Sequence, residues 1–192
     1  MIDYKADPKF WQRFLACAGF YKDTIDGDFG TNSQKALHEF EQASIDLGNS
    51  AAGSFDGRSE GNIQTLLPAA QRKAREFMKA VRDAGITIKI ISGTRTFAEQ
   101  HALFTQVPHV TKADAGHSNH NFGVAWDIGD FTGGTYHPES EVYKKVGEIG
   151  KKLGLEWGGD WHGFKDEPHF QAVPETELKN IAAKFESGTA FV

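Results

Sequence analysis

The stretch that most constrains this chain is Gly116-His117-Ser118-Asn119-His120-Asn121-Phe122-Gly123-Val124-Ala125-Trp126-Asp127-Ile128, read together with Asp166-Glu167-Pro168-His169-Phe170-Gln171 further on. From Gly123 the residues alternate, with Val124, Trp126 and Ile128 on one face and Gly123, Ala125 and Asp127 on the other. A period of two predicts a strand. Asp127 then points away from the large apolar side chains, onto a face expected to be kept open by Gly123 and Ala125. Pro168 disfavours helix for Glu167 and cannot donate to a ladder, so His169 is expected to open another strand, with Asp166 in the turn before it. Backbone reach limits those two residues to at most roughly 10 Å apart. The two stretches together offer two imidazoles and a carboxylate for a metal, with a spare carboxylate ahead of the last imidazole. An open zinc site has that inventory: three protein ligands, a fourth position left free, and a base to take a proton from water.

The string Ser118-x-His120-x-x-Gly123-x-Ala125-x-Asp127, followed by Asp166-x-x-His169, resembles the signature of the M15 zinc peptidases, the group of D-Ala-D-Ala carboxypeptidases and dipeptidases and L-alanyl-D-glutamate endopeptidases. The likeness is greatest to the L-alanyl-D-glutamate endopeptidases of phage lysis and wall turnover. It runs from about Asp56 to Gln171 and takes in Ser92-Gly93-Thr94-Arg95, Glu99-Gln100 and Gly154-Leu155-Glu156-Trp157-Gly158-Gly159-Asp160-Trp161. The resemblance implies that His120, Asp127 and His169 bind Zn2+, that Asp166 is the catalytic carboxylate, and that Arg95 holds the substrate carbonyl. Ser118, Gln100 and Trp161 are the expected substrate contacts, and His117 and Ser118 could also orient a ligand. The other histidines, His38, His101, His109, His137 and His162, are read as surface or structural. Departures from the family pattern are Asn119, where an aromatic is frequent, Trp126, where Phe is usual, and a short segment over 105–114. They bear on substrate shape more than on metal chemistry.

What the resemblance implies is a zinc metallopeptidase that cleaves the stem peptide of peptidoglycan, at the L-alanyl-D-glutamate bond, as a phage or prophage endolysin. The alternatives are a D-Ala-D-Ala-type carboxypeptidase of wall turnover, a zinc hydrolase on another substrate, and a wall-binding protein without activity. Spacing does not separate carboxypeptidase from endopeptidase.

A net charge of −5 and a pI of about 5.9 give no electrostatic case for nucleic acid or an anionic membrane, so the expected partner is the wall polymer, met by a monomer. The single cysteine, Cys17, forms no internal disulfide, lies in an apolar helical stretch and reads as a buried structural thiol. Met1-Ile2-Asp3-Tyr4-Lys5 is not the start of a signal segment, and no apolar run approaches the ~18 residues of a membrane span. The expectation is synthesis in the cytoplasm and action on the wall after release.

Residues 1–48 read as a small helical domain. Asp7 caps a helix with Pro8 in its first turn, Phe10, Trp11, Phe14, Leu15 and Ala18 recur at helical spacing, and Gly19 ends it. Thr31 and Gln34 form a candidate capping box for a second helix with the stripe Ala36, Leu37, Phe40 and Ile45. The string Gly19-Phe20-Tyr21…Ile25-Asp26-Gly27-Asp28-Phe29-Gly30…Ser33-x-x-Ala36-Leu37-x-x-Phe40 resembles the peptidoglycan-binding type 1 module. A helical domain without ligand is the alternative. A calcium loop at Asp26 and Asp28 lacks the required spacing and terminal Glu. An echo between Asp26-Gly27 and Asp56-Gly57 reads as two uses of one turn before a helix. Residues 49–54 are small and polar, the expected linker.

Residues 55–192 are expected to be an α+β domain of the D-Ala-D-Ala peptidase type, a mostly antiparallel sheet flanked by helices. Helices are expected near 60–67 and over 68–84, strands near 86–92, 123–129 and 169–173, and a helix from Thr96, capped through Glu99. Another follows Pro138 with the stripe Val142, Val146, Ile149 and Leu153. A closing helix carries Leu178, Ile181, Ala182 and Phe185. Trp157 and Trp161 flank Gly158-Gly159-Asp160 and could floor a groove or fill a core.

Overall fold

A computed structural model of the chain describes Tyr4, residues 6–50, 54–108 and 110–191, with only the backbone at Ser50. Most of the Met1–Lys5 segment, His109 and residues 51–53 of the expected linker lie outside the described residues.

Helix α1 (Pro8–Cys17) starts as its sequence dictates. Asp7 Oδ1 accepts from Phe10 N at 3.1 Å, and Pro8 occupies a position that needs no donor. Gly19, at φ +85°, turns the chain out of it. Cys17 is fully buried, and burial pushes its thiol up to about 12, as expected of an inert structural cysteine. The 23–30 loop is tied to α1 by the buried Gln12, whose amide bonds Asp26 Oδ1 (2.9 Å) and the Gly27 N–H (2.7 Å). Helix α2 (Thr31–Ser50) departs from expectation in three places. Thr31 is already helical, and Gln34 Nε2 reaches the Phe29 carbonyl at 3.4 Å in place of a capping box. Ile45 is exposed, because the inward positions after Phe40 fall on Ser44, which donates to the Phe40 carbonyl and accepts from Gln71 Nε2. The helix also continues through Asn49 and Ser50, into the stretch read as linker.

Helices α3 (Gly57–Ile63), capped by Asp56, and α4 (Pro68–Asp83) lead to β1 (Ile88–Ser92) and α5 (Phe97–Thr105). Leu67, expected at the end of α3, instead precedes α4 and donates its N–H to the Gly123 carbonyl at 2.9 Å. A 3-10 turn at Asn119–Phe122 feeds β2 (Ala125–Asp130); α6 (Val142–Lys152), β3 (Glu156–Trp157), β4 (His169–Gln171) and α7 (Leu178–Ser187) complete the fold. The sheet is antiparallel in the order β1-β2-β4-β3, so the fold class is the expected α+β. Strand β3 escaped the sequence reading because two residues carry no period.

The face of α6 corrects another expectation. Leu153 is 38% exposed, and the inward side is Tyr143, Val146, Gly147 and Gly150. A Cβ on Gly147 would stand 2.5 Å from the Trp157 ring, and one on Gly150 2.6 Å from Phe170. Bare backbone lets this helix sit on the sheet's aromatic rings, and a stripe search for bulky residues misses glycines.

Two apolar clusters result. One joins Phe10, Phe14 and Phe40 to Leu67, Phe122, Val124, Ile181 and Phe185; the other joins Ile90, Trp126, Ile128 and Phe170 to Phe77, Tyr143 and Val146. Gly123, at φ +68°, lies against the first of them, where a Cβ would stand 2.6 Å from Phe14 Cε2 and 3.2 Å from Leu67 Cγ. The face expected to be open at Gly123 is thus closed by α1. Among the described residues no helix is long and apolar enough to cross a membrane.

Candidate metal centre

β2 and β4 pair in a register that sets Asp127 opposite His169, and the 3-10 turn ahead of β2 brings in His120. Ser118 caps that turn, its hydroxyl accepting from His120 N at 3.4 Å. Three donor atoms converge: His120 Nε2, His169 Nδ1 and Asp127 Oδ1, each 3.2 Å from the other two. That spacing is the edge of a tetrahedron whose corners lie roughly 2.0 Å from its centre, the ligand distance of zinc. The remaining ring nitrogens settle the tautomers. His120 Nδ1 lies 2.8 Å from the Gly93 carbonyl, which can only accept, so Nδ1 carries the proton and Nε2 is left with its lone pair. His169 Nε2 lies 2.9 Å from Gln171 Oε1, which leaves Nδ1 as the free donor atom. This His-Asp-His donor set fits a zinc ion with one position open to water.

Asp127 divides its two oxygens. Oδ1 faces the imidazoles and Oδ2 pairs with Arg95 Nη2. Burial pushes this carboxyl up, yet the charge and hydrogen bond of His120, the hydrogen bond of His169 and the Arg95 charge hold it well below the ordinary value. His120 is lowered, first by burial. His169 is pulled down by burial but raised overall, through its hydrogen bond to Asp127 and that residue's charge. Asp166 is raised, first by burial and then by the Asp127 charge. A carboxyl raised in this way holds its proton more readily than an ordinary aspartate, which suits a group that must take up a proton and pass it on.

The centre floors a cleft of about 800 Å³. Asp166, Arg95, Ser118, Trp161 and His117 all line it. Trp161 lays its ring 4.8 Å from that of His169 and donates Nε1–H to Glu156 Oε1 at 2.7 Å. The tryptophan pair thus divides: Trp161 borders the cleft, and Trp157 fills the core. Arg95, expected to hold the substrate carbonyl, is spent in part on Asp127, on Ser92 Oγ (3.0 Å) and on Gln100 Oε1 (3.3 Å). Gln100, expected at the substrate, has no exposed surface. It stands behind Arg95 and bonds the Ala113 carbonyl at 2.7 Å. Of the histidines read as structural, His101 pairs Asp114 on the surface, His137 bonds the Thr132 carbonyl, and His162 lines the cleft.

Sequence reasoning missed Gln171, Asn119 and Glu175. Asn119 Nδ2 donates to Gln171 Oε1 (3.1 Å) and to Glu175 Oε2 (2.7 Å), which braces the amide that orients His169. The signal for Gln171 was available, since residues two apart on a strand share a face. Asn119 and Glu175 meet only in the folded chain.

The family described as D-alanyl-D-alanine carboxypeptidase, of the M15 peptidases, matches residues 111–172, the segment that holds the whole triad. The chain is 37% identical over 127 residues to the peptidoglycan L-alanyl-D-glutamate endopeptidase CwlK of Bacillus subtilis, covering 57% of this chain and 74% of that protein. It is 34% identical over 122 residues to the L-alanyl-D-glutamate peptidase of Listeria phage A118, covering 61% of this chain but only 41% of the phage protein. In structure it resembles the L-Ala D-Glu endopeptidase ChiX of Serratia marcescens, with a TM-score of 0.51, 27% identity, and coverage of 62% of this chain and 89% of the other. The chain belongs to the M15 family of peptidases.

Proposed function

We propose that this protein is a zinc endopeptidase that cleaves the stem peptide of peptidoglycan at the L-alanyl-D-glutamate bond, in the setting of a phage or prophage endolysin. The observation that carries the reading is the 3.2 Å triangle of donor atoms at the floor of a cleft, with the raised carboxyl of Asp166 on the wall. The relatives of B. subtilis, Listeria phage and S. marcescens supply the bond.

His120 Nε2, Asp127 Oδ1 and His169 Nδ1 would hold the metal. Bound there, zinc supplies a Lewis acid that polarises the scissile carbonyl and acidifies water. Asp166 takes the proton of the attacking water on its carboxylate and returns it to the leaving amine nitrogen. Arg95, fixed against Asp127 and Gln100, keeps the ligand carboxylate oriented and places positive charge beside the developing oxyanion. Gln171 and the Gly93 carbonyl keep both imidazoles in the tautomer a metal needs. Trp161 and Ser118 border the substrate. Residues 1–48 are read as the part that holds the wall polymer, and residues 55–192 as the peptidase.

Mass spectrometry of muropeptides after digestion tests the bond. New amino-terminal D-glutamyl products are expected. Release of terminal D-alanine would favour the second reading, a carboxypeptidase, which the description of the matching family supports. Asp166→Ala should keep stoichiometric zinc yet lose turnover by about 10²–10⁴; undiminished turnover would refute its role.

A further inference from the structure

Among the described residues, the cleft lining contains two permanent cations, Arg95 and Lys112, and they are differently engaged. Arg95 is held by Asp127, Ser92 and Gln100. Lys112 stands on the rim and has no carboxylate partner among the described residues. Its ammonium lies 4.5 Å from the ring centroid of Phe164, which lines the same cleft and is 42% exposed. A cation over an exposed ring gains only about 0.5–1 kcal/mol, less than a charge-assisted hydrogen bond to a carboxylate. The lining also carries the carboxylates Asp166 and Glu175, which repel an anionic substrate unless a cation meets it.

The substrate side follows from chemistry, and it rests on the L-alanyl-D-glutamyl reading above. Glutamate has two carboxyl groups, and the continuing peptide uses at most one of them. The other remains an anion next to the bond to be cut. We propose that Lys112 is the specificity-determining residue that receives this free carboxylate, leaving the Phe164 ring as the glutamyl residue enters the cleft. The enzyme then distinguishes a free carboxylate from a carboxamide at that position, which differ in charge but scarcely in shape.

The test uses the full zinc-loaded chain and two soluble peptides, an L-alanyl-D-glutamyl stem peptide and the same peptide with the free glutamyl carboxylate converted to carboxamide. Wild type should prefer the carboxylate by about tenfold in kcat/KM, mainly through KM, the size of one charge-assisted hydrogen bond. Lys112→Met, which keeps the aliphatic stem, should bring the ratio of the two substrates to about one, and Lys112→Arg should restore most of it. A ratio unchanged in Lys112→Met, or a wild-type ratio near one, overturns the inference while leaving the endopeptidase reading intact. Failure of wild type to cut either peptide, with zinc bound, overturns the bond assignment and this inference with it.

Discussion

The two apolar clusters carry different parts of the metal triad. His120 rides on a turn whose Phe122 belongs to the cluster of α1, α2 and α7, with Phe122 and Phe185 5.3 Å apart at their ring centres. Asp127 and His169 ride on strands whose Trp126, Ile128 and Phe170 belong to the cluster under α4 and α6. One ligand is thus supported by a cluster that α1 and α2 share with α7, and two by a cluster built within residues 55–192. A site of three donor atoms 3.2 Å apart tolerates little slippage between its supports, so the helices at the start of the chain act as scaffold for the chemistry whatever else they bind.

That comparison can be broken most forcefully by cutting one support at a time. Phe14→Ala in the first cluster and Phe77→Ala in the second should each destabilise by about 3–5 kcal/mol, the usual range for a buried phenylalanine. Both side chains have no exposed surface. If the clusters act as one unit, each variant melts in a single calorimetric transition. Two transitions in Phe14→Ala, with zinc retained by the later one, would show that His120 does not depend on α1.

A smaller effect sharpens the contrast within the sheet. Gln171→Met keeps volume but removes the acceptor for His169 Nε2–H. Zinc affinity should fall by about 10–100-fold, as for other partners of metal-bound imidazoles, and competition with a chromogenic chelator would measure it. An unchanged affinity would mean that the strand alone fixes the ring.

The smallest effect is on pH dependence. Asp166 must be ionised to accept a proton, and its carboxyl is raised above the ordinary value of 3.8 by burial and by Asp127. The acid limb of kcat/KM, which disappears in Asp166→Ala, should therefore lie above the ordinary carboxylate range. For stability the sign is opposite to that of a paired carboxylate. The folded state holds the proton at a pH where the unfolded state has lost it, so this group costs stability as pH rises through that window. Asp166→Asn should raise the melting temperature of the metal-free protein slightly at neutral pH, and a fall would remove the argument from burial.

Much of the sheet region was legible because its signals are local. The alternation from Val124 to Ile128, the Pro168 break and the capping box at Thr96 and Glu99 each sit within a few residues, and the structure realises all three. The errors about which residues face inward share one physical origin. Ile45 and Leu153 are hydrophobic residues placed outward, and Ser44, Gly147 and Gly150 are weakly hydrophobic ones placed inward. Burial there follows from what the neighbouring element presents, a glutamine amide or an aromatic ring, and no periodicity records that. Gln100, part of the Glu99-Gln100 motif, was read as a substrate contact, and the fold makes it the support of Arg95.

The sequence by itself determined most of the helices and strands, the family signature and the donor types, because backbone propensity, alternation and ligand chemistry are properties of short segments. Only the tertiary structure decided that α1 closes over Gly123, that Gln171 and Gly93 set the two imidazole tautomers, and that Lys112 in the cleft is a cation without a carboxylate partner among the described residues. Each of those joins atoms from distant parts of the chain, and a contact of that kind exists only once packing has brought both partners to the same place.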